Sequence, residues 1–477
     1  AEGRCGGKES STRLEKKKLW RNVGMEFTEQ KVLVFGNGIS GVAAANLLEN
    51  AGAEVVLFDG NEKLDKAHVL ENFTESKTPE LYVGVLPEEV EKELDLVVLS
   101  PGVPVDLPLV LRLKEAGLPI WGEIELAYRC KKGDVLAITG TNGKTTTTAL
   151  LGEIMKTAYP HVHVVGNIGI PYTGVVTEDT DDTVTVAEIS SFQLETIDAF
   201  CPCVSAILNI TPDHLNRHHT MENYIAAKLS IAKNQGPEQT CVLNYEDEVL
   251  RERAKELSAH VVFFSSLTQL EEGVYLKGDK IVYAHDGQVE DVIATDELNI
   301  LGRHNHENAM AATAMALNYG VSLDHIRQAL RAFRAVEHRI EYVTEKRGVR
   351  FYNDSKGTNP DAAIKGIQAM DRPTYLIGGG YDKQSEYTEW INSFDGKVKK
   401  LVLIGQTREK IAETADACGF HDYVFADSLQ EAVDICYENA QNGDAVLLSP
   451  ACASWGMFPN YEVRGKMFKE MVHALKE

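Results

Sequence analysis

Short apolar runs alternate along the chain with helical stretches, and turns rich in glycine or polar residues separate them. The runs interpreted as strands are residues 31–35, 53–58, 96–99, 135–138, 183–189, 204–210, 350–352, 374–377, 401–404 and 445–448. Residues 304–317 and 324–333 predict helices. Because apolar strands that alternate with helices are typical of parallel sheets covered on both faces, the pattern predicts an α/β protein with doubly wound sheets. The 477 residues suffice for about three domains.

The most specific motif follows the strand at residues 135–138 and reads GTNGKT over residues 140–145. In such a loop, backbone N–H groups and a helix N-terminus face a phosphate, the lysine reaches the terminal phosphates, and the hydroxyl binds Mg²⁺. Ile138 stands where the usual spacing has a glycine, so an ordinary strand–turn–helix connection is the alternative. The motif predicts a nucleoside triphosphate, most simply ATP, with Lys144 and Thr145 in these two roles.

A second glycine motif, GNGISG at residues 36–41, lies between the strand at 31–35 and a helix that runs through Asn50. Asp59 ends the next strand, about 20 residues after the glycines, as in the βαβ units that bind dinucleotides. By itself this unit favours NAD or FAD, but the glycines indicate only that a diphosphate could approach the helix N-terminus. Close strand–helix packing without a ligand is the alternative.

Two strand ends downstream of the phosphate loop carry side chains that bind metals. Glu188 lies in the strand at 183–189, and His214 follows the strand at 204–210 in a polar loop. Mg²⁺ beside a phosphate loop needs a second protein ligand at a strand end of this kind. Glu188 and His214 together therefore favour a metal site over two residues with structural roles. Three basic residues nearby have no function on spacing alone, and we expect them at the surface or in solvent: His218, His219 and Lys228.

Polar loops follow the predicted strands of the last third of the chain in the same way. A domain boundary is expected near residues 330–340, where helical sequence gives way to EHRIE and then to a strand. Each of three loops contains at least one lysine, aspartate, serine or threonine. The loops are NDSKGTNP (353–360), GGGYDK (378–383) and SPACAS (449–454). Each could be an ordinary turn, but their position after parallel strands favours a ligand surface.

Composition narrows the classes of function. A hydrophobic content of 44% with 25% charged residues is typical of a soluble globular protein. The net charge of −23 argues against nucleic-acid or anionic-membrane partners, and no apolar run approaches membrane-spanning length. The eight cysteines are scattered, so we expect reduced thiols in a cytoplasmic protein and no metal at Cys201 and Cys203. Residues 1–24 are interpreted as a disordered leader or cloning remnant.

Several sequence runs together carry a resemblance to a known family. They are TGTNGKTT, EISSFQLE, NITPDHLNRH, the helix of Lys228, GRHNHENAMAA, EHRIE, NDSKGTNPDA, LIGGGYDK and LLSPACAS, in this order. From about Met25 to the C-terminus, the chain resembles the Mur ligase family of peptidoglycan synthesis. The phosphate loop and EHR are shared with folylpolyglutamate synthases, whereas SSFQLE, NDSKGTNP and SPACAS are similar to the members that add D-glutamate.

The resemblance implies a Rossmann-like domain for a UDP-linked substrate (25–122), a P-loop-type ATPase domain (123–335) and a doubly wound Rossmann-like domain for the amino acid (336–477). The implied ATP contacts are Gly140, Thr141, Asn142, Gly143, Lys144, Thr145, Thr146, Asn305, Asn308, Arg339, Asp354 and Lys356. The implied substrate contacts are Asn37, Gly38, Ile39, Ser40, Asp59, Gly102 and Asn167 for the nucleotide, and Thr358, Lys383, Ser454 and Phe458 on the amino-acid side. Two Mg²⁺ ions would be held by Thr145, Glu188, His214 and a carbamylated Lys228, which reverses the interpretation of Lys228 as a solvated residue.

The implied reaction is the ATP-dependent addition of D-glutamate to UDP-N-acetylmuramoyl-L-alanine through an acyl phosphate, in a cytoplasmic monomer. Lys144, Glu188, His214 and Lys228 would be its catalytic residues. The chain departs from the family at Gly456, where an acidic residue is expected, so the conformation of that loop is a question for the structure. The alternatives are another Mur-type or folylpolyglutamate-type ligase, a non-catalytic nucleotide-binding regulator, and an NAD-dependent oxidoreductase, although GxGxxG alone explains nothing after residue 140.

Overall fold

The computed structural model describes residues 27–73, 78–167 and 169–476, so the interpretation of residues 1–24 concerns residues outside the described ones. The strands are β1 (Lys31–Phe35), β2 (Glu54–Asp59), β3 (Glu80–Val83), β4 (Leu96–Leu99), β5 (Ile120–Gly122), β6 (Asp134–Thr139), β7 (Val162–Gly166), β8 (Val184–Glu188), β9 (Val204–Ile207), β10 (Thr240–Asn244), β11 (His260–Ser265), β12 (Gly273–Lys277), β13 (Lys280–His285), β14 (Gln288–Ala294), β15 (Glu341–Lys346), β16 (Val349–Asn353), β17 (Thr374–Gly380), β18 (Val398–Gly405), β19 (Tyr423–Phe425) and β20 (Ala445–Leu448).

The α-helices are α1 (Ile39–Asn50), α2 (Lys66–Leu70), α3 (Glu88–Glu93), α4 (Pro108–Glu115), α5 (Glu123–Cys130), α6 (Lys144–Ala158), α7 (Ser191–Leu194), α8 (Leu215–His218), α9 (Met221–Leu229), α10 (Glu248–Arg253), α11 (Arg303–Tyr319), α12 (Leu323–Ala332), α13 (Pro360–Gln368), α14 (Thr388–Asn392), α15 (Arg408–Ala417), α16 (Leu429–Asn439) and α17 (Tyr461–Ala474). Short 3₁₀ helices cover Tyr172–Gly174, Val176–Glu178, Ser230–Ala232, Ala254–Glu256 and Thr295–Glu297.

The described chain forms two compact units that alternate along the sequence. The first contains the described residues up to Lys144, together with Met155–Val262 and Met315–Val321. The second contains Thr145–Ile154, Phe263–Ala314 and the described residues from Ser322 onward. Because α6 and α11 contribute residues to both units, neither unit is a continuous segment of sequence.

The first unit contains two sets of parallel strands. One sheet has the order β3-β2-β1-β4-β5, and Leu33 and Phe35 of its central strand pack into the core that also holds Val97 and Leu99. The second set has the order β10-β9-β6-β8-β7, in which Ile138 of β6 lies opposite Glu188 of β8. The carboxyl ends of β6, β8 and β9 therefore lie side by side, and each leads into a loop that the sequence marked as a candidate site.

The second unit contains a six-stranded sheet of order β15-β16-β20-β17-β18-β19. Alternate residues of β18 face opposite cores, with Leu401 and Leu403 in one and Val402 and Ile404 in the other. The sheet is thus covered on both faces, as predicted for a doubly wound fold. Since β16, β20 and β17 are neighbours, the loops that follow them begin at one edge.

Besides small shifts at several element ends and strands that the sequence did not predict, such as β3, β7 and β10, the structure differs from the prediction in three places. Strand β9 ends at Ile207 and not at residue 210. Strand β17 continues through Gly380, because three buried glycines still pair with β18. The pairings of β12 with β13, β13 with β14, and β15 with β16 are antiparallel, which the predicted all-parallel sheets did not include. Short hairpins of this kind carry no helix between their strands, so the strand–helix pattern does not reveal them.

Candidate active site at the ends of parallel strands

Two glycines and one asparagine shape the phosphate loop between β6 and α6. Gly140 and Gly143 have φ angles of 150° and 88°, a range that side chains disfavour. A Cβ atom on Gly140 would lie 3.0 Å from that of Leu208. Asn209 accepts a hydrogen bond from the backbone N–H of Asn142 (2.8 Å) and donates one to its carbonyl oxygen (3.0 Å). The loop is therefore fixed by protein contacts, with Asn209 as a strand-end residue to which the sequence interpretation gave no role.

Two lysine side chains donate to one carbonyl oxygen of this loop. Lys144 Nζ lies 2.8 Å from the oxygen of Gly140 and 2.9 Å from that of Thr141. Lys228 Nζ also donates to Gly140, at 2.8 Å, and its side chain is only 2% exposed, with the Tyr224 ring 4.7 Å away. Spacing alone predicted a solvated Lys228, which is wrong. Burial, reinforced by the charge of Lys144, holds the pKa of Lys228 well below its ordinary value and favours the neutral amine.

Glu188, at the end of β8, has a buried carboxylate with one unsatisfied oxygen. Asn167 Nδ2 donates to Glu188 Oε1 at 2.9 Å, and the Asn167 backbone N–H donates to the Glu188 carbonyl at 2.8 Å. Among the residues that the structure describes, the buried Glu188 Oε2 has no hydrogen-bond partner. An unsatisfied buried carboxylate oxygen costs free energy, so this atom is suited to a cation or to a donor from a ligand.

His214 lies in the loop after β9, and half of its side chain is exposed. Its φ angle of 53° is left-handed, which costs free energy unless neighbouring contacts fix it. The ring packs edge-on against Phe192 at 4.9 Å, and Nε2 lies 3.4 Å from Asp213 Oδ2. His219, whose side chain is 64% exposed, lies at the surface as expected.

A largely buried polar cluster holds the same loop, and the sequence interpretation missed it. Arg217 donates to Glu195 Oε2 at 2.6 Å and to the carbonyl oxygen of Val103 at 3.0 Å. His218 was expected at the surface, but it is 4% exposed, with Nε2 2.9 Å from Ser191 Oγ and Nδ1 3.3 Å from Glu195 Oε1. Burial lowers its pKa, which favours a neutral imidazole that orients its neighbours. The sequence signal for this cluster was the SSFQLE run, because it contains Ser191 and Glu195, the two partners of His218.

The glycine turn after β1 is closely packed at its ends and open in its middle. A Cβ atom on Gly41 would collide with the carbonyl oxygen of Gly36, and one on Gly36 would lie 2.7 Å from the Cβ of Ser100. A Cβ atom on Gly38 would meet no atom of the described residues within 4 Å. Packing therefore requires Gly36 and Gly41, whereas the open backbone at Gly38 leaves room for phosphates at the N-terminus of α1.

A cavity of about 610 Å³ lies beside this turn. Its lining includes Asn37, Gly38 and Ile39, together with residues between Ile170 and Thr177. Among the described residues, the buried Asn37 Nδ2 has no hydrogen-bond partner. The cavity thus lies beside a glycine turn and a helix N-terminus, a place suited to a small-molecule ligand.

The other residues expected near the nucleotide substrate lie at neighbouring strand ends. Ser40 is in the first turn of α1, Asp59 ends β2, and Gly102 is exposed in the turn after β4. The carboxylate of Asp59 accepts the backbone N–H of Asn61 at 2.8 Å. Because β2, β1 and β4 are adjacent and parallel, these residues share one edge of the sheet.

In the second unit, hydrogen bonds join the first turn of α6 to other residues expected around ATP. Arg339 donates to Thr145 Oγ1 at 3.1 Å, while its buried Nε has no hydrogen-bond partner in the described part of the chain. Thr147 Oγ1 donates to Asn308 Oδ1 at 3.3 Å, and Asn308 Nδ2 donates to Asn305 Oδ1 at 3.0 Å. The residues in this group that are at most 6% exposed are Thr145, Thr146, Thr147, Asn305 and Asn308. The unsatisfied Nε gives Arg339 a donor for an anionic ligand.

Arg339 is presented by a backbone segment of unusual conformation. His338 and Ile340, on either side of it, have φ angles of 66° and 46°. The His338 N–H donates to Glu341 Oε2 at 3.0 Å, and its carbonyl accepts the N–H of Lys356 at 3.1 Å. Contacts from two directions therefore hold the strained segment and connect it to the loop after β16.

That loop is anchored by buried polar groups. Ser449 Oγ donates to Asp354 Oδ2 at 2.7 Å, and burial raises the pKa of Asp354 to about 7. A Cβ atom on Gly357 would lie 2.7 Å from Asp354 Oδ2. Arg464, fully buried, donates to the side chain and the carbonyl of Ser355 at 2.9 and 2.7 Å. The sequence interpretation gave Arg464 no role and included Ser449 only as part of a candidate ligand loop, because their partners are distant in sequence.

The residues expected around the amino acid lie on the loops after β16, β17 and β20. Ser454 is 3% exposed, and Phe458 packs in the hydrophobic core while its N–H donates to the Ser454 carbonyl at 3.0 Å. Lys383 is exposed, and the Thr358 N–H donates to the carbonyl of residue 356 at 2.8 Å. Gly456 has a φ of 85°, so glycine suits this turn where an acidic residue would be strained.

Among the described residues, one group of at least three His, Cys, Asp or Glu side chains has ligand atoms within 4.8 Å of one another, namely Glu337, His338 and Glu341. Lys469 Nζ donates to Glu337 at 2.5 Å and to Glu341 at 2.9 Å. Its ammonium therefore provides the positive charge there, and we interpret the group as structural. In the described part of the chain, no helix has the length and apolar character to cross a membrane.

Comparison with known proteins gives a consistent picture along the sequence. The model described as "Mur ligase MurD-like, N-terminal domain" matches residues 30–122, "Mur ligase middle domain" matches 138–316, and "Mur ligase, glutamate ligase domain" matches 338–452. A UDP-N-acetylmuramoylalanine–D-glutamate ligase from Lachnoclostridium phytofermentans is 57% identical over 453 residues, which are 95% of this chain and 100% of the relative. A protein of the same name from Lachnospira eligens is 54% identical over 451 residues, with 94% and 100% covered.

Solved structures share the fold at low sequence identity. The UDP-N-acetylmuramate-alanine ligase MurC from Thermotoga maritima has a TM-score of 0.58 at 19% identity and covers 94% of this chain and 100% of its own. The MurF ligase from Thermotoga maritima in complex with ADP has a TM-score of 0.56 at 16% identity, with 94% and 96% covered. Since three models of one family match in order and two relatives are more than half identical over their whole length, the chain belongs to the Mur ligase family.

Proposed function

We propose that the chain catalyses the ATP-dependent addition of D-glutamate to UDP-N-acetylmuramoyl-L-alanine in peptidoglycan precursor synthesis. The observation that carries this proposal is the 57% identity, over the whole length of the relative, to a ligase named for that reaction. The site supports it with a phosphate loop shaped by glycines, a buried carboxylate with an unsatisfied oxygen, and a second glycine turn beside a cavity.

We assign the nucleotide substrate to residues 25–122, ATP to residues 123–335 and the amino acid to residues 336–477. The ranges that the three family models match support these boundaries. The open backbone at Gly38 and the unsatisfied Asn37 Nδ2 support the first assignment, because a UDP diphosphate and a polar ring would use both. The other proposed contacts of this substrate are Ile39, Ser40, Asp59, Gly102 and Asn167.

Phosphoryl transfer to the L-alanyl carboxylate is the first proposed step. The carboxylate attacks the γ-phosphorus of ATP, and the bond between this phosphorus and the bridging oxygen breaks. The products are ADP and an acyl phosphate. Two anions must approach each other, so the step depends on positioning and on charge neutralisation. Lys144 and the N–H groups of the loop at residues 140–143 supply positive potential in the first unit. In the second unit, Arg339 supplies a buried donor, and Asn305, Asn308, Asp354 and Lys356 complete the proposed ATP contacts.

Amide formation is the second step. The neutral amine of D-glutamate attacks the acyl carbon, and the tetrahedral intermediate expels inorganic phosphate while the nitrogen loses a proton. We assign the Lys383 ammonium to a carboxylate of D-glutamate, and Ser454 and Thr358 to the same substrate. The ring of Phe458 lies in the core, so we propose that it supports the Ser454 loop from below.

We also propose that Lys228 carries a carbamate and that two Mg²⁺ ions take part. The neutral amine attacks CO₂, forms an N–C bond and loses a proton, which leaves one negative charge on two oxygens. The lowered pKa of Lys228 supports this step, because only the neutral amine reacts. In the first unit, Glu188, His214 and the carbamate are the proposed ligands, and the unsatisfied Glu188 Oε2 fits such an ion. Thr145 is the proposed ligand beside the ATP phosphates, whose charge Mg²⁺ would neutralise.

An assay of phosphate release tests the proposed reaction. The full-length protein, which we propose acts as a cytoplasmic monomer, is mixed with ATP, Mg²⁺ and UDP-N-acetylmuramoyl-L-alanine. We expect phosphate and a product heavier by one glutamyl residue when D-glutamate is added, and much less with L-glutamate or D-aspartate. Equal phosphate release with and without D-glutamate would contradict the proposal, as would a product that forms only with another amino acid.

A further inference from the structure

An exposed indole lies beside the lysine that we assign to D-glutamate. The side chain of Trp455 is 55% exposed, and that of Tyr381 is 39% exposed. Lys383 Nζ lies 5.6 Å from the centroid of the Trp455 ring, and the Tyr381 ring meets the same indole edge-on at 5.6 Å. Leaving two large rings in water forgoes their burial, so this pair invites a functional explanation.

The backbone fixes the indole in this place from two sides. The Tyr381 N–H donates to the Ala453 carbonyl at 2.9 Å, which ties the loop after β17 to the loop after β20. Directly after Trp455, Gly456 turns the chain with a φ of 85°. The N–H groups of the next two residues then donate to the Ser454 carbonyl at 3.3 and 3.0 Å. The ring therefore stands on a rigid turn whose Ser454 belongs to the proposed amino-acid site.

The lysine, in contrast, is held by little else. Among the described residues, the Lys383 ammonium forms no hydrogen bond and no ion pair, and its contact is with the indole face. The neighbouring Asp382 carboxylate is engaged by Lys410 Nζ at 3.5 Å and by the N–H of Gln384 at 2.6 Å. The indole thus restrains a charged side chain that forms no ion pair with any carboxylate in the described part of the chain.

We propose that Trp455 is a positioning residue for the amino-acid substrate: its ring holds the Lys383 ammonium by a cation–π contact at the place where a carboxylate of D-glutamate binds. This inference rests on the proposed function, which assigns that carboxylate to Lys383. A long, flexible side chain loses conformational entropy when it pairs with a ligand, and a restraint present before binding reduces this loss. The contact should therefore favour amino-acid binding and leave the phosphoryl-transfer step unchanged.

Steady-state kinetics on the full chain provides the first test. In Trp455→Leu we expect the KM for D-glutamate to rise about two- to fivefold, which corresponds to about 0.5–1 kcal/mol. The kcat and the KM values for ATP and the UDP-linked substrate should stay unchanged. The KM for D-glutamate of Trp455→Phe should lie between the values of Trp455→Leu and the wild type. Phe425→Leu is the matched control, because Phe425 is 42% exposed and carries Arg408 over its ring at 5.5 Å. An unchanged KM for D-glutamate, or an equal rise for ATP, would overturn the proposal.

Tryptophan fluorescence provides a second test that needs no turnover. When Lys383→Met is introduced into the wild-type protein, we expect the tryptophan emission to change, because the substitution removes a cation from an indole face. When it is introduced into Trp455→Phe, we expect no change in emission. The same shift in both backgrounds, or no shift in either, would show that the contact is absent and would overturn the proposal. This measurement also decides the matter if Trp455→Leu does not fold. A wild-type protein without D-glutamate-dependent phosphate release would instead overturn the proposed function, whatever the fluorescence shows.

Discussion

The charge state of Lys228 is decided by residues distant in sequence. Tyr224, Ile225 and Lys228 are the buried residues of α9, so this helix turns its lysine into the protein. The Gly140 carbonyl accepts its hydrogen bond, and Lys144 adds a like charge nearby. A lysine in such surroundings favours the neutral form, which is the one that reacts with CO₂.

Substitution of Lys228 tests the carbamate. We expect Lys228→Ala to be nearly inactive, because the site loses a negatively charged metal ligand. Short carboxylic acids such as acetate should partly restore turnover by filling the vacated space. Lys228→Arg should not respond to acetate, because its guanidinium keeps the bulk and the positive charge. Turnover with and without acetate is the measurement, and full activity of Lys228→Ala without added acid would contradict the carbamate.

Lys144→Ala should remove much of the transition-state stabilisation. We expect turnover to fall by about three orders of magnitude, or roughly 4 kcal/mol. The reason is that the variant lacks the positive charge that would stabilise the transferred phosphoryl group. Lys144 is half-buried and donates to two loop carbonyls, so we also expect a modest loss of stability, unlike for a lysine that faces solvent. Circular dichroism should show a folded protein. Near-normal turnover of that folded variant would refute the role of Lys144.

The glycine turn and helix α1 illustrate how one motif combines two demands. Gly41→Ala should lower the free energy of unfolding by about 1–3 kcal/mol, because the new Cβ collides with the Gly36 carbonyl and displaces the helix. Gly38→Ala is the matched control: its Cβ meets nothing, so stability should hold while the KM for the UDP-linked substrate rises. Thermal unfolding and kinetics separate the two effects. Equal stability losses in both variants would contradict the packing argument, and an unchanged KM in Gly38→Ala would argue against a ligand at Gly38.

The interpretation of the first glycine motif depends on the molecule as a whole. Since we assign ATP to the phosphate loop at Lys144, we assign the acceptor substrate to the turn at residues 36–41. Titration calorimetry of the full-length protein should therefore detect UDP-N-acetylmuramoyl-L-alanine and no NAD. Tight binding of NAD without binding of the UDP-linked compound would reverse this assignment.

The sequence by itself determined the local elements and the family. Strands β1, β4 and β20 have the bounds that their apolar runs predicted, because such runs record burial on both faces of a parallel sheet. The α/β class, the membership of the Mur ligase family and the ligase reaction are confirmed by the family models and the relatives. The individual site residues stay predictions, although the structure brings several of them to adjacent strand ends.

Only the tertiary structure decided how those residues are used. Lys228 and His218 are buried, although their spacing predicted surface positions. Asn209 and Arg464, to which the sequence gave no role, form hydrogen bonds that hold site loops. It also extended β17 through three glycines. In each case the deciding contact joins segments far apart in sequence. Hydrophobic periodicity reports how one segment meets an average core, whereas burial, hydrogen-bond partners and pKa depend on which other segments the fold places beside it.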